Sequence, residues 1–439
     1  MMAPRNRLLF WVAMVLPFAA VGMMMPSMMA VSMALMAMLM IVASVDAVLA
    51  RGQLRGIHVE LPPVVRLSKD REKAILLLIH NELMKSCGLR VGLPFPKEIH
   101  SPHEDFQVIL PENARSSQFS WPCTPSERGI FHVQKCCLET QSPMGFWNMR
   151  GSVVSPMEIR VYPSLMEEQK RLAALFLNRG NFGIHAQKMV GQGRDFEKLR
   201  EYIPGDGYDA IHWKATAKRG HPVTKIFQVE RTQEVYVIID FSRLSGREVR
   251  GETALERFIV SALVMGLVAE RQGDLFGLLT FSDRVRGFVR AKNGKTHYDT
   301  CRDALYMLQP QMVTPDFEDV CSFIRLRLRR RSLLIFLTDL DDPVLTESLM
   351  RHIDLIGRQH LILVGTIKSR GVAPIFQSNS VHSINEIYQK LGGHLLWHHM
   401  RELEKKLKHH GVRLLNLDNE KMSAQLVSHY LSIKQRQLL

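Results

Sequence analysis

No charged residue occurs between Arg7 and Asp46. As one straight helix this stretch would be about 57 Å long, nearly twice the hydrocarbon core of a bilayer. Pro26 supplies a break near its middle. The sequence therefore predicts a transmembrane hairpin in residues 1–55, with helices at about 8–25 and 27–49. The alternative is a cleaved signal peptide, whose apolar part would run from Leu8 to Ala20.

Positive residues lie at both ends of this predicted hairpin, and the apolar stretch between them contains none. They are Arg5, Arg7, Arg51 and Arg55. Because Lys and Arg are enriched on the cytoplasmic side of membrane helices, both ends are expected in the cytoplasm, with the rest of the chain. Asp46 is expected to reach the interface or to pair with Arg51, in preference to relaying protons.

The short motifs of the common catalytic sites are also missing. None of the six cysteines forms a Cys-x-x-Cys pair, which favours reduced thiols over a zinc site or a disulfide framework. Gly294-Lys295-Thr296 resembles the end of a phosphate-binding loop, but Val289 stands where that loop needs a glycine. Neither Cys137 nor Cys301 has an evident histidine partner in the sequence, so a thiol hydrolase has no support.

The chain is strongly basic, with a net charge of +14 over 439 residues. This length predicts two or three domains, and the charge calls for an acidic partner. Anionic lipid, nucleic acid and an acidic protein are the candidates. The densest basic run, Arg325 to Arg331, has no aromatic residues between its charges, which weakens a single-strand-binding interpretation. Attraction to an anionic membrane surface explains much of the charge.

Residues 56–165 have the pattern of short strands separated by turn residues. Runs such as 106–110, 117–121, 130–133 and 157–162 are bounded on one side or the other by Pro, Gly or Ser. This pattern predicts a small antiparallel sandwich. The segment from Lys69 to Lys85 contains an apolar run that fits a strand or a helix, and periodicity does not decide between them.

Residues 233–439 alternate strands with helices. The predicted strands are 235–239, 274–281, 332–340, 360–367 and 411–417, and the predicted helices include 253–271, 317–329 and 384–409. This alternation predicts a parallel sheet with helices on both faces. Ligand sites in such folds lie beyond the carboxyl ends of the strands.

The densest motif lies between these regions, in Gly191 to Lys218. Phe196, Leu199 and Tyr202 have helical spacing, a turn follows at residues 204–206, and Ile211 and Trp213 then alternate as in a strand. We interpret residues 166–232 as a connector whose apolar members form a docking core. The candidate partner-contact residues of this signature segment are Arg200, Tyr202, Pro204, Gly205, Asp206, Trp213 and Lys214.

The same segment resembles the bacterial membrane-protein family catalogued as domain of unknown function 58. The matching residues are Gly191, Gly193, Phe196, Leu199, Arg200, Tyr202, Pro204, Gly205, Asp206, Ile211, Trp213 and Ala217. Asp195, Asp209 and Lys218 depart from the pattern, and only Asp209 reverses the usual charge. Further landmarks are Arg128-Gly129, Pro143 to Phe146 and Val161 to Pro163. The resemblance implies an immunoglobulin-like β region before the signature segment.

The ends of two predicted strands resemble the metal site of a von Willebrand factor A-type domain, which implies a doubly wound α/β fold. Asp240, Ser242, Thr296 and Asp339 would be the metal ligands. Oxygen ligands of this kind suit Mg²⁺, the one cofactor considered. Leu244 stands at the second serine of the family's motif, with Ser245 one place late. The alternative is that Asp240 and Asp339 cap the turns after their strands.

The function expected from these features is that of a membrane-anchored protein-interaction or assembly factor, without enzymatic activity. The family resemblance implies an AAA+ ATPase of MoxR type as a partner in a chaperone-like pair, beside the lipid bilayer and other membrane or cell-envelope proteins. One alternative is a metal-dependent hydrolase that uses Asp240 and Asp339, although no base and nucleophile accompany them. The other is a membrane-bound nucleic-acid-binding protein, which rests on charge alone.

Overall fold

The computed structural model of this chain describes residues 1–24, 26–82, 84, 86–178, 190–191, 195–204, 207–208, 211–228, 232–249, 251–340, 342–369, 371–374 and 383–436. The chain forms two compact units, Met1–Ser164 and Leu165–Leu439.

The first unit begins with apolar helices. After the short strand β1 (Met2–Pro4) come α1 (Asn6–Met24) and α2 (Pro26–Ala50). Pro26 is the first residue of α2, where its missing N–H would have no helical partner. The stretch Met29–Ala50 is long and apolar enough to cross a membrane, with a mean hydropathy of 2.3, whereas the apolar stretch Asn6–Ala20 is shorter. By length and composition, the described residues therefore contain one candidate span where the sequence predicts two.

The rest of the first unit consists of strands. They are β2 (Ile57–Glu60), β3 (Val64–Ser68), β4 (Lys73–Asn81), β5 (Cys87–Gly92), β6 (Ile99–His100), β7 (Asp105–Leu110), β8 (Ser116–Pro125), β9 (Gly129–Gln141) and β10 (Trp147–Tyr162). One sheet has the order β1-β10-β9-β5-β7, with β3 parallel to β10, and the other has the order β2-β4-β8-β6. Buried side chains from both sheets form one core, including Leu77 and Trp121 from one and Val91 and Ile159 from the other.

The segment that the sequence left open, residues 69–85, contains the strand β4. Ile75 and Leu77 are buried while Leu76 between them is 53% exposed, which is the two-residue period of a strand with one face in the core. The sequence interpretation was wrong about the end of β8, which continues through Pro122 to Pro125.

The turn between β9 and β10 holds the end of α2. Asp46 is fully buried. One of its carboxylate oxygens accepts hydrogen bonds from the Ser142 hydroxyl at 2.5 Å and the Phe146 amide at 3.1 Å, and the other accepts one from the Met144 amide at 2.9 Å. The Trp147 indole donates to the Ala43 carbonyl at 2.9 Å. Asp46 thus binds the sandwich, whereas the sequence suggested the interface or Arg51.

The residues before α1 belong to the same sheet. β1 pairs antiparallel with β10, with Met2 opposite Met149. The Arg5 amide donates to the Phe146 carbonyl at 2.9 Å. A side chain on Gly145, whose φ is +78°, would meet the guanidinium groups of Arg5 and Arg7 at 3.4 and 3.3 Å. The start of α1 and the end of α2 are therefore both fixed to one turn.

The second unit contains the remaining elements. They are α3 (Met166–Asn178), β11 (Val190–Gly191), β12 (Asp195–Glu201), α4 (Trp213–Arg219), β13 (Val223–Gln228), β14 (Glu234–Asp240), β15 (Glu248–Val249), β16 (Glu252–Thr253), α5 (Ala254–Arg271), β17 (Leu275–Phe281), β18 (Val285–Lys292), α6 (Lys295–Leu305), α7 (Phe317–Arg327), β19 (Ser332–Leu337), α8 (Pro343–Gly357), β20 (Leu361–Ile367), α9 (Ile384–His409), β21 (Arg413–Leu417) and α10 (Met422–Gln435).

The large sheet of this unit has the order β18-β17-β14-β19-β20-β21. All neighbours are parallel except β17 and β18. Val237 and Ile239 of β14 share a core with α5 and α10, whereas Tyr236 and Ile238 share another with α7, α8 and α9. Because alternate residues of one strand enter two cores, helices cover both faces of the sheet. This is the doubly wound arrangement that the sequence predicts, with the antiparallel strand β18 as an unpredicted addition.

Candidate functional site

The carboxyl ends of β14 and β19 lie side by side. The two strands are parallel, with Ile239 opposite Leu337. Asp240 ends β14 and Asp339 follows β19, so the register brings both carboxylates to one edge of the sheet, with Ser242 in the loop after β14. This much of the predicted metal site is assembled.

Asp240 is fully buried and already binds two donors of the protein. One carboxylate oxygen accepts from the Ser242 amide at 2.8 Å, and the other accepts from the Thr338 hydroxyl at 2.6 Å. Burial raises the pKa of the Asp240 carboxyl above its ordinary value, and the hydrogen bonds from Thr338 and Ser242 offset only part of that shift. Asp240 therefore links the loop after β14 to the end of β19.

Asp339 forms an ion pair with an arginine that the sequence analysis overlooked. An amino group of Arg247 lies 2.9 Å from the Asp339 carboxylate, and Asp339 is 5% exposed. The other Arg247 amino group donates to the Ser369 hydroxyl at 3.1 Å. Arg247 comes from the loop after β14, so no local motif marks it, and only the folded chain brings it to Asp339.

The hydroxyl groups of the loop after β14 serve the loop itself. The Ser245 hydroxyl donates to the Ser242 carbonyl at 2.8 Å, and the Ser242 hydroxyl accepts from the Leu244 amide at 3.4 Å. Such bonds are typical of a serine that caps a short turn. The capping alternative for Asp240 is favoured by the bond that its own carboxylate accepts from the Ser242 amide, two residues further on.

Thr296 does not join the other predicted ligands. Phe276, at the start of β17, pairs with Lys292 at the end of the antiparallel strand β18. Thr296 follows in the first turn of α6, and the neighbouring His297 ring contacts the Phe276 carbonyl at 2.7 Å. It therefore lies at the amino-terminal edge of the parallel strands, opposite to Asp240. The antiparallel strand that reverses the chain here was not predicted.

A different threonine lies on a loop at the correct edge. The Gln311 amide donates to the Phe241 carbonyl at 2.7 Å, and the Arg243 amide donates to the Val313 carbonyl at 3.0 Å. Thr314 follows directly in this loop. The sequence analysis missed it because only the pairing of the two loops distinguishes it from other threonines.

These residues do not fit a divalent cation. The guanidinium of Arg247 already neutralises the charge of Asp339. A metal ion that bound the same carboxylate would be repelled by the guanidinium. Both oxygens of Asp240 accept hydrogen bonds from the protein. Across the described ranges no group of three or more His, Cys, Asp or Glu could hold a metal ion. Asp240, Ser242 and Asp339, the three predicted Mg²⁺ ligands at this edge, therefore belong to polar contacts within the protein itself.

The connector, residues 166–232, contains a small sheet in the order β11-β13-β12, and β12 belongs to the signature segment. The predicted helix over Phe196, Leu199 and Tyr202 is wrong, because β12 pairs antiparallel with β13 there. Arg200 lies in β12 opposite Thr224. The Tyr202 amide donates to the Pro222 carbonyl at 3.0 Å. Gly205 and Asp206, both predicted contact residues, lie outside the described residues.

Trp213 is a second correction in this segment. It begins the helix α4 and does not continue a strand, and it is 68% exposed where a docking core was predicted. His212 caps the helix, since its ring nitrogen accepts from the Ala215 amide at 3.0 Å. No residue of α4 is buried. Ile211, in contrast, is 6% exposed and bridges Thr224.

Other apolar groups near Trp213 in sequence are exposed as well. Tyr208 is 74% exposed and Ile203 is 52% exposed. The ring of Tyr208 stacks on that of Tyr202, with centroids 6.5 Å apart. Pro204, Lys214, Lys218 and Arg219 are also exposed. The signature segment thus presents aromatic and basic side chains together.

A cysteine and a histidine do meet, contrary to the sequence interpretation. The Cys301 sulfur lies 3.6 Å from the His297 ring, one turn apart on α6. The thiol is buried, and burial raises its pKa to about 12. A thiol with this pKa is protonated at neutral pH, whereas the thiolate is the nucleophilic form of cysteine.

Comparison with known families confirms the family resemblance. The model of the family described as protein of unknown function DUF58 matches residues 198–372, which include most of the signature segment and the carboxyl edge of the large sheet. No curated protein matches the chain.

Three solved structures show partial similarity to this chain. The VWA domain of SpRpn10 has 11% identity, with a TM-score of 0.28 over 45% of this chain and 95% of that chain. The conserved hypothetical protein BatB from Bacteroides thetaiotaomicron has 14% identity, with a TM-score of 0.29 over 46% and 99%. Proximal thread matrix protein 1 from the mussel byssus, with a zinc-occupied MIDAS motif, has 14% identity and a TM-score of 0.24 over 36% and 39%. The fold described above rests on the sheet topology itself.

Proposed function

We propose that this protein is a membrane-anchored protein-interaction or assembly factor that acts with an AAA+ ATPase of MoxR type and has no catalytic activity. The observation that carries the proposal is the exposure of Trp213, Tyr208 and Ile203 in the signature segment. Exposed aromatic side chains beside basic ones are typical of the centres of protein–protein contacts.

The charge of this surface indicates the chemistry of the partner. Lys214, Lys218 and Arg219 of α4 are exposed next to Trp213. A partner that covers them would present acidic groups around an apolar pocket for the indole ring. The ATPase is proposed from the family resemblance, and the surface supports a partner of this kind without identifying it.

Membrane attachment through a two-helix transmembrane hairpin is part of the proposal. Its support is the candidate span Met29–Ala50 and the turn that fixes both the start of α1 and the end of α2. With both ends fixed to one sheet, the chain must leave and return on the same side. The flanking arginines favour the cytoplasmic face of a bacterial inner membrane. The two facing sheets of the first unit support an immunoglobulin-like sandwich as a spacer.

The side of the membrane can be measured directly. Cys137 is exposed on the sandwich. In a variant that retains only this cysteine, a membrane-impermeant maleimide should label inverted inner-membrane vesicles and leave right-side-out vesicles unlabelled. The reverse pattern would contradict the cytoplasmic placement.

The absence of catalysis is proposed from the chemistry of the candidate groups. Asp240 and Asp339 each bind donors of the protein, and the Cys301 thiol has its pKa raised by burial. Turnover of a substrate by the purified chain, lost in Asp240→Ala, would instead support the hydrolase.

Partner capture tests the main proposal. Tagged full-length protein would be cross-linked in native membranes, purified in detergent and analysed by mass spectrometry. We expect an AAA+ ATPase of MoxR type in the wild-type sample. Its absence from every cross-linked sample would contradict the proposal.

A further inference from the structure

We propose that Arg247 provides, from within the chain, the positive charge that a divalent cation would provide at the carboxyl edge of the large sheet. The edge is therefore a metal-independent polar cluster, held together by a guanidinium group.

The position of the guanidinium is the first support. One amino group lies 2.9 Å from the Asp339 carboxylate at the end of β19. The other donates to the Ser369 hydroxyl at 3.1 Å, and the Ile367 carbonyl at the end of β20 lies 3.5 Å from the guanidinium. Arg247 thus joins the ends of two neighbouring parallel strands to the loop after β14. A guanidinium is planar and has several N–H donors, so it can make all of these contacts at once. A metal ion would connect the same elements by binding an oxygen ligand from each.

The second support is the geometry that a cation would need. Mg²⁺ binds oxygen ligands at about 2.0–2.1 Å and loses its water reluctantly. Placed on Asp339, it would lie within a few ångströms of the Arg247 guanidinium and would be repelled by that positive charge, which water screens in part because the Arg247 side chain is 33% exposed. Binding would require the guanidinium to leave.

The third support is that the remaining oxygen groups have other partners. Asp240 accepts from the Ser242 amide and the Thr338 hydroxyl. The Ser245 hydroxyl donates to the Ser242 carbonyl. These groups thus have partners within the protein, and the Arg247 guanidinium adds the positive charge of the cluster.

The inference is tested by divalent binding of the full-length protein in detergent. Mg²⁺ and Mn²⁺ would each be added after chelator treatment, with isothermal titration calorimetry and thermal unfolding as readouts. We expect no heat of binding and no shift for the wild type. Arg247→Ser removes the charge and leaves a small hydroxyl, so it should gain a Mn²⁺-dependent rise in melting temperature of at least about 2 °C. Arg243→Ser, at an exposed position of the same loop, should respond like the wild type.

Each outcome decides the question. Saturable Mg²⁺ or Mn²⁺ binding by the wild type, lost in Asp240→Asn, would overturn the inference. A folded Arg247→Ser variant that gains no divalent response would also overturn it, because the guanidinium would then not be what excludes the ion. If Arg247→Ser fails to fold, Arg247→Gln replaces it with the same expectation.

Discussion

Two regions of the second unit use their polar and apolar groups in opposite ways. At the carboxyl edge of the large sheet, Asp240 and Asp339 are 0% and 5% exposed, and both bind donors of the protein. In the signature segment, Trp213 and Tyr208 are 68% and 74% exposed. Buried carboxylates that accept hydrogen bonds or form ion pairs connect the strand ends to the neighbouring loops. Exposed aromatic side chains can instead be buried by a partner, which would stabilise the complex. Asp240 and Asp339, whose carboxylates suggested a metal site or a catalytic site, are thus bound to other groups of the protein.

The largest expected effect comes from the exposed aromatic residues of the signature segment. Trp213→Ala, alone or with Tyr208→Ala, should lower partner capture at least tenfold, because a central aromatic contact contributes about 2 kcal/mol or more to binding. The melting temperature should stay close to that of the wild type, since the side chain is exposed. Quantitative pull-down from native membranes measures the capture.

Leu326→Ala is the matched control for this prediction. Leu326 is 77% exposed on α7, in the same unit but away from the signature segment in sequence. Its capture should equal that of the wild type. Equal loss in both variants, or no loss in Trp213→Ala, would mean that the signature segment is not the contact surface.

The next largest effect concerns Asp46, a buried carboxylate of the first unit whose hydrogen bonds are all made within the protein. Asp46→Asn should destabilise the docking of α2 on the sandwich by about 1–3 kcal/mol, because its amide NH₂ would face a backbone N–H or the Ser142 hydroxyl. The Met144 and Phe146 amides both donate to the carboxylate at present. Protease resistance in detergent, followed against denaturant, measures the loss.

Asp70→Asn provides the comparison for Asp46→Asn. Asp70 is exposed in the same unit and has a φ of +55°, a conformation that asparagine tolerates well. This variant should behave like the wild type. If Asp46→Asn were equally neutral, the three hydrogen bonds to Asp46 would not hold the helix.

A smaller effect is expected from a buried group that is not satisfied. His360 is 4% exposed, and neither ring nitrogen has a hydrogen-bond partner among the residues that the structure describes. Burial lowers the pKa of His360 below its usual value of 6.5. As the pH falls through that value, the unfolded chain takes up a proton that the folded chain resists, so stability is lost on acidification.

His360→Leu should therefore flatten the fall in melting temperature below pH 6.5. A residual slope should remain, because the pKa of His429 is also lowered, by burial and by Arg413. Thermal unfolding from pH 7.5 to 5 measures both slopes. His409→Gln, at an exposed position, should keep the wild-type slope, and an unchanged slope in His360→Leu would contradict the prediction.

The five parallel strands of the large sheet and three of its helices were predictable because buried strands and amphipathic helices leave strong local patterns. Val235 to Ile239 is one such run, and α9 occupies the predicted range Ile384–His409. In the signature segment the same reasoning from local spacing gave a wrong prediction. The spacing of Phe196, Leu199 and Tyr202 suits a helix, but pairing with β13 sets the conformation there. Local spacing cannot show a partner strand that lies far along the chain.

The candidate site was predictable only where sheet register alone assembles it. Asp240 and Asp339 follow two parallel neighbours, and so they meet. Arg247 reaches Asp339 from a loop whose path no local pattern encodes. The error at Thr296 has the same cause, because the antiparallel strand β18 sends the chain back to the other edge of the sheet.

The smallest expected effect tests that last point. Thr296→Ala should change the free energy of unfolding by no more than about 0.5 kcal/mol, because Thr296 is exposed at the amino-terminal edge. It should also leave the response to divalent ions unchanged. The informative background is Arg247→Ser, in which the cluster is expected to accept Mn²⁺. There Thr296→Ala should leave the gained response intact, whereas Thr314→Ala should weaken it, since the loop before Thr314 is hydrogen-bonded to Phe241 and Arg243. Loss of the response in Thr296→Ala alone would place that threonine at the carboxyl edge and contradict the strand order on which the comparison of the two regions depends.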